Sequence, residues 1–261
     1  MARPVTVITG ASAGIGAELA RIFAREGHAL VLIARRALAL DALADEIAAT
    51  GKPRPMALAL DLGQSGSAEK ISEALKARDL DVQYLVNNAG FGLLGPAAGI
   101  SRGEQLAMID LNVRALTELS VAFTQSIARH RGGILNVASV AGFLPGPGMA
   151  VYYATKAFVI SFSEALNREL KRQGVRVTVL CPGPVPTEFQ ARAGVPDHVG
   201  PSLLERDACF VAQAGYEGLM AGRRMVVPGW PNRVVSCLPR FMPRGLVVRI
   251  MDRVQRRRFR P

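Results

Sequence analysis

Val5-Thr6-Val7-Ile8-Thr9-Gly10-Ala11-Ser12-Ala13-Gly14-Ile15-Gly16 is the stretch whose reading decides the fold. Its β-branched half reads as a buried parallel strand, since strands covered on both faces carry near-continuous apolar runs. The second half is a glycine-rich turn, and Ala17 to Glu26 continues as a helix. Strand, small-residue turn and helix make a phosphate cradle. The turn lets backbone approach a pyrophosphate, and the helix start offers unpaired N–H groups and the positive end of a dipole. Gly10, Ser12, Gly14, Ile15 and Gly16 are its candidate contacts. The spacing is Gly-x-x-x-Gly-x-Gly, not the general Gly-x-Gly-x-x-Gly of dinucleotide sites. The competing reading is an ordinary left-handed turn with a helix packed close to it.

Downstream, His28 to Ala34 reads as a second strand and runs into Arg35-Arg36. An NAD site carries an acid there for the ribose 2′-hydroxyl. Two guanidiniums in its place favour the 2′-phosphate of NADP, which a carboxylate would repel. Ala37 to Ala49 is an alanine- and leucine-rich helix, and Pro55 to Leu60 a third strand closed by Asp61-Leu62. Asp61 either accepts a hydrogen bond from an adenine amino group or N-caps a helix from about Ser67; Leu62 beside it counts with the cofactor contacts. Leu85 to Gly90 is a strand ending in small polar residues. There Asn87 and Asn88 can tie strand ends together, while Ala89 and Gly90 leave room for a ribose.

Ser101 to Arg129 reads as a long helical stretch, in which Asn112 is either a backbone-bonded amide or a functional group. Gly133 to Ser139 is a further strand, which delivers Ser139 at its carboxyl end, where open α/β sheets bind ligands. Tyr152 and Lys156 then open a helix reaching about Arg172. Four residues apart, they share one helix face. The ammonium is expected to stabilise a phenolate and lower the phenol's pKa, so that the hydroxyl can exchange a proton. The apolar positions of this helix cover more than one face, which suits packing on another subunit. Val175 to Leu180 is a sixth strand, followed by Pro182-Gly183-Pro184-Val185-Pro186-Thr187. The alternation makes one doubly wound α/β sheet with no internal linker.

The motifs occur in one order: Thr9 to Gly16, Asn87 to Gly90, Ser139, Tyr152 with Lys156, and Pro182-Gly183-x-Val185-x-Thr187. In that order the chain resembles the short-chain dehydrogenase/reductase family over about residues 4 to 230. The resemblance implies a Rossmann-like parallel sheet of seven strands with an NAD(P) cofactor along the strand ends. It implies that Tyr152 exchanges a proton with the substrate oxygen and that Lys156 holds the nicotinamide ribose. Ser139 would hydrogen-bond the carbonyl, and Asn112 would hold a water leading from Lys156 to solvent. Pro182, Gly183, Val185 and Thr187 would meet the nicotinamide carboxamide and neighbouring phosphates. The arginine after the second strand is similar to NADP-preferring members, although Ala13 stands where many of them have a second basic residue. The expected activity is hydride transfer between NADP(H) and a carbonyl or secondary alcohol. The alternative is a non-catalytic NADP-binding sensor or scaffold.

Composition limits the rest. Of the 261 residues 49% are hydrophobic, yet no run reaches the roughly 18 to 20 apolar residues of a membrane span. The first residues carry no secretory h-region. Cys181, Cys209 and Cys237 are odd in number and lack metal-ligand spacing. That fits a reduced cytoplasmic chain without a bound metal. The net charge of +11 is local: residues 240–261 hold eight arginines against Asp252, leaving +4 elsewhere. Basicity confined to a tail argues against nucleic-acid binding.

Residues 1–239 are therefore read as the catalytic domain and 240–261 as a basic amphipathic extension. From Arg244 to Arg258 that extension can be drawn as a helix. It lies on an anionic membrane surface, or it packs on its own domain or on a partner subunit. The run from Thr187 to Glu205 is read as a lid or a plain surface loop. Phe91, Leu93, Leu94, Phe143, Leu144, Phe189, Val195, Val199, Leu203 and Leu204 are expected to line an apolar substrate pocket. The partners expected are a small hydrophobic carbonyl or alcohol and further copies in a homodimer or homotetramer.

Overall fold

The computed structural model describes residues 2–194 and 202–256. Seven strands form one parallel sheet: β1 (Arg3–Thr9), β2 (Leu30–Ala34), β3 (Met56–Ala59), β4 (Leu80–Asn87), β5 (Gly133–Val137), β6 (Arg176–Leu180) and β7 (Met225–Val226). Their order is β3-β2-β1-β4-β5-β6-β7. The chain builds outward from β1 in one direction, then returns to build outward from β4 in the other. Between those two strands a crevice opens at their carboxyl ends, the usual ligand position in such sheets.

The helices are α1 (Gly14–Arg25), α2 (Ala37–Ala49), α3 (Ser67–Lys76), α4 (Arg102–Ile109), α5 (Leu116–Ala122), α6 (Thr124–Arg129), α7 (Ala150–Leu170), α8 (Glu188–Ala193), α9 (Ala208–Met220), α10 (Trp230–Cys237) and α11 (Arg244–Arg256). They cover both faces of the sheet. Ile8, Leu32, Val86 and Leu135 pack against Leu19, Ile22 and Phe23 of α1 and Val211 of α9. Val7, Val31, Leu85 and Ile134 point the other way, onto Ile71 of α3, Leu119 of α5 and Leu166 of α7. This alternation is the period of two of a pleated strand. With both faces covered, the central strands are apolar throughout.

Several expectations change. The stretch 101–129 is interrupted by a π-helical turn, Asp110–Ala115, and broken again at Phe123. The helix at Ser67 is capped by Gly66 in the left-handed conformation, not by Asp61, whose Oδ1 accepts instead from the N–H of Gly63 at 2.9 Å. The run after Thr187 is not irregular throughout: Thr187 caps α8, and Gly194 ends it at φ 68°. The extension past residue 239 packs on its own domain, burying Val247 and Gln255 of α11. Val195 and Val199, and Arg257 and Arg258 of the extension, lie outside the described residues.

Candidate functional site

A cavity of about 960 Å³ runs along the carboxyl ends of the strands. The cradle forms one end. Gly10 and Gly14 sit at φ 64° and 54°, a region that costs an L-residue roughly 1–2 kcal/mol. Gly16 is needed for a different reason. A Cβ there would stand 2.3 Å from the Gly10 carbonyl oxygen and 2.4 Å from Asn88 Nδ2. The Asn88 amide donates to the carbonyls of Thr9 and Gly10 at 3.0 and 3.1 Å, so the residue that follows β4 holds the turn in shape. Asn87 donates to Asn136 Oδ1 at 2.9 Å and joins β4 to β5. Thr187 closes over the turn, its methyl 3.0 Å from where a Cβ on Gly14 would lie. Turn, open helix start and room beside them fit a dinucleotide pyrophosphate.

At the exit of β2, Arg35 and Arg36 line the cavity. Arg36 donates to Ser12 Oγ at 3.1 Å and pairs with Glu188 of α8 at 2.8 Å. Asp61, Leu62, Ala89 and Gly90 line the same end. A third cation, Arg192 of α8, stacks over the Phe91 ring at 4.4 Å. Burial lowers its pKa, and the like charges of Arg35 and Arg36 lower it further, against a pull from Asp61. No local pattern marks Arg192 as a cavity residue, because only the tertiary placement of α8 brings it to the opening.

Ser139, Tyr152 and Lys156 share the other end of the cavity. Ser139 Oγ accepts from the Ala141 N–H at 3.1 Å and donates weakly to the Pro182 carbonyl at 3.4 Å. Lys156 Nζ donates to the Val137 carbonyl at 2.9 Å and stands 5.8 Å from the centre of the Tyr152 ring. The ammonium therefore addresses the ring face and a backbone oxygen. The expected lowering of the phenol is reversed: burial pushes Tyr152 above its ordinary value, with Ser139 pulling the other way. Burial also brings the Lys156 ammonium down to about 8, opposed by the nearby Cys181. Desolvation disfavours both charged forms, and here it is the largest influence on each.

Asn112 sits in the π-helical turn, buried, and does not line the cavity. Its Nδ2 donates to the Phe91 carbonyl at 2.9 Å and to Thr155 Oγ1 at 3.1 Å, while its Oδ1 accepts from the Phe91 N–H at 3.1 Å. These bonds tie it to the backbone at Phe91 and to Thr155, the residue before Lys156 on α7. Pro182, Gly183, Val185 and Thr187 line the cavity beside Ser139.

Of the pocket residues expected, Phe91, Leu144, Phe189 and Leu204 line it. Leu93 and Leu94 pack beside the Phe91 cluster, Phe143 packs against the Val159 cluster, and Leu203 is exposed. Met251 and Val254 of α11 and Val235 of α10 were not foreseen and complete the apolar wall. Gln255 donates to the Tyr153 hydroxyl at 2.9 Å, pinning α11 beside the Tyr152 helix.

A doubly wound parallel sheet with a glycine cradle and Ser139, buried Tyr152 and buried Lys156 in one cavity defines a Rossmann-type oxidoreductase. Residues 4–196 match the family model described as short chain dehydrogenase, and the chain belongs to that family. It is 38% identical over 190 residues to the NADP-dependent 3-hydroxy acid dehydrogenase YdfG of Salmonella typhi, covering 72% of this chain and 75% of that one. Among solved structures it is similar to a short-chain dehydrogenase from Sphingobium yanoikuyae in complex with NADPH (34% identity, TM-score 0.79, 95% of each chain). It is also similar to a bulky-bulky ketone specific alcohol dehydrogenase from Comamonas testosteroni (28% identity, TM-score 0.75, covering 94% of this chain and 97% of that one).

Proposed function

We propose that this enzyme interconverts an apolar ketone or aldehyde and its alcohol with NADP(H) as cofactor. The observation that carries the reading is that cradle and Ser139-Tyr152-Lys156 group open into a single cavity. When bound, the nicotinamide supplies or accepts the hydride. Arg35 and Arg36 meet the 2′-phosphate. Pro182, Gly183, Val185 and Thr187 orient the nicotinamide. Gly10, Ser12, Gly14, Ile15 and Gly16 take the pyrophosphate, and Asp61, Leu62, Asn88, Ala89 and Gly90 the adenosine and ribose.

In the reductive direction the carbonyl carbon gains the hydride and its oxygen takes the Tyr152 proton. Burial keeps that phenol protonated until the moment of transfer. The Ser139 hydroxyl donates only a long bond, to Pro182 at 3.4 Å, and can turn its proton to the substrate oxygen. Lys156 lends positive charge beside the phenolate that forms, and Asn112 fixes the backbone at Phe91 on which this end of the pocket rests. The apolar wall of Phe91, Leu144, Met149, Phe189, Met251 and Val254 supports a hydrophobic substrate.

Panels of ketones and aldehydes run with NADPH and then NADH test the reading. Turnover faster with NADPH is expected, and Tyr152→Phe should lose 10²- to 10⁴-fold in rate, the usual contribution of a positioned acid or base. Unchanged turnover by that variant, or NADPH binding with no ketone consumed, defeats it.

The outward face of α7 supports a homodimer or homotetramer, since exposed Phe158 stacks on Phe162 at 5.8 Å. Residues 240–261 are read as an extension of a cytoplasmic chain that packs on its own domain or a partner subunit, or meets a membrane surface. The described part carries no helix long and apolar enough to cross a bilayer.

A further inference from the structure

After β7, three consecutive pieces of chain face outward with an unusual composition: α10, a tight turn at Leu238–Phe241, and α11. Each has a clear inner side. Asn232 and Ser236 are buried in α10, and Val247 and Gln255 in α11. On the outer side Trp230, Val234 and Leu238 recur once per helical turn, and so do Leu246, Ile250 and Val254, the spacing of one helix face. Trp230 is 66% exposed and Phe241 86%. Among the described residues neither ring belongs to a core cluster or stacks on another ring.

The same pieces hold Arg233, Arg240, Arg244, Arg249, Arg253 and Arg256, all exposed. Asp252 is the one acid, and Arg256 already holds it at 2.8 Å. Read over residues 230–261, nine arginines oppose that single aspartate, so +8 of the chain's +11 is concentrated here.

Three occupants deserve weighing. A second copy meeting this face across a twofold axis would set the same surface against itself, bringing two clusters of arginine together with hardly an acid between them. A nucleic acid would use the arginines but leave Val234, Leu238, Leu246 and Ile250 unmatched. An anionic lipid surface uses both: phosphates and carboxylates for the guanidiniums, the headgroup–acyl boundary for the aromatic and aliphatic side chains.

We propose that α10, the turn and α11 together form a docking face for an anionic membrane surface, with Trp230 and Phe241 as its apolar anchors. Val254 belongs both to this face and to the cavity wall, and Met251 stands beside it on the cavity side. Docking therefore places the apolar end of the pocket next to lipid. That apolar carbonyl compounds reach it from the bilayer rests on the proposed reaction; the docking itself does not.

The full chain is sedimented with phosphatidylcholine vesicles and with vesicles that also contain phosphatidylserine. Two paired variants accompany it, Trp230→Ser with Phe241→Ser and Arg249→Gln with Arg253→Gln. NADPH binding and melting temperature confirm that both remain folded, since none of these four side chains lines the cavity. The parent should bind the anionic vesicles and leave the neutral ones. The arginine pair should weaken binding about 25-fold, taking roughly fivefold for each arginine at the surface, and the aromatic pair should weaken it at least tenfold. Equal partition onto neutral and anionic vesicles, or no binding to either, overturns the proposal. So does a parent dimer in sedimentation velocity that the aromatic pair turns into monomer, because the face then belongs to a second copy.

Discussion

Tyr152 and Lys156 have opposite titrations and a common cause. Each is buried, and burial favours the uncharged form of both. For Lys156 the consequence is measurable. Its folded value of about 8 lies below the 10.5 of the free side chain, so between those values the unfolded chain binds more protons than the native one. Stability contributed by this group therefore rises with pH across that window and is lost as pH falls toward 8. In urea unfolding of the protein alone, the difference between parent and Lys156→Met should move in the parent's favour by about 2 kcal/mol from pH 7 to pH 9.5. A difference that stays flat across that range means that Lys156 is not desolvated as the structure has it. Local sequence could not give this result. A Tyr-x-x-x-Lys spacing places two groups on one face, but their sign of shift depends on Val137, Cys181 and the sheet that buries them.

At the scale of elements, the β1–α1 turn is fixed from outside itself, by Asn88 just after β4 and Thr187 ahead of α8. Gly16→Ala places a methyl against the Gly10 carbonyl and the Asn88 amide, both backbone-bound. The turn must open to accept it. NADPH affinity should fall at least tenfold, with a melting temperature lowered by several degrees; titration calorimetry and a thermal scan read the two. Affinity equal to the parent's would show that the turn yields without cost. This element was legible because strand, glycines and helix are contiguous, and the apolar runs of β1, β2, β5 and β6 announced themselves in the same way. The π-helical turn was not, since it exists for bonds between Asn112 and Phe91, distant in sequence. The two-residue β7 is too short to have a pattern at all. Of the site, Tyr152, Lys156 and Ser139 could be read because a motif carries them. Arg192, Met251 and Val254 could not, because they belong to it only through the docking of α8 and α11.

Across the whole molecule, the cavity has a polar half under the first strands and an apolar half under the last helices. Met251→Trp should fill part of the second half. Overfilling a pocket discriminates by size, and a mismatch of this kind is worth roughly 10- to 200-fold. The expected reading is kcat/KM for a ketone bulky on both sides reduced at least tenfold, with that for a small ketone close to the parent's. Equal losses for both would mean that the side chain supports folding and not selection.

The topological switch between β1 and β4 also divides what the molecule can change from what it cannot. The glycine cradle hangs from interior strands, cross-tied by Asn87, Asn88 and Thr9. Much of the apolar wall, Phe189, Val235, Met251 and Val254, comes after Thr187, on helices at the rim, where Gln255 bonds to Tyr153. Taste for a new ketone can thus be acquired by rewriting the chain after Thr187 while the cradle and the Ser139, Tyr152 and Lys156 group keep their sequence, and random libraries confined to that segment should yield altered preference far more often than inactive protein.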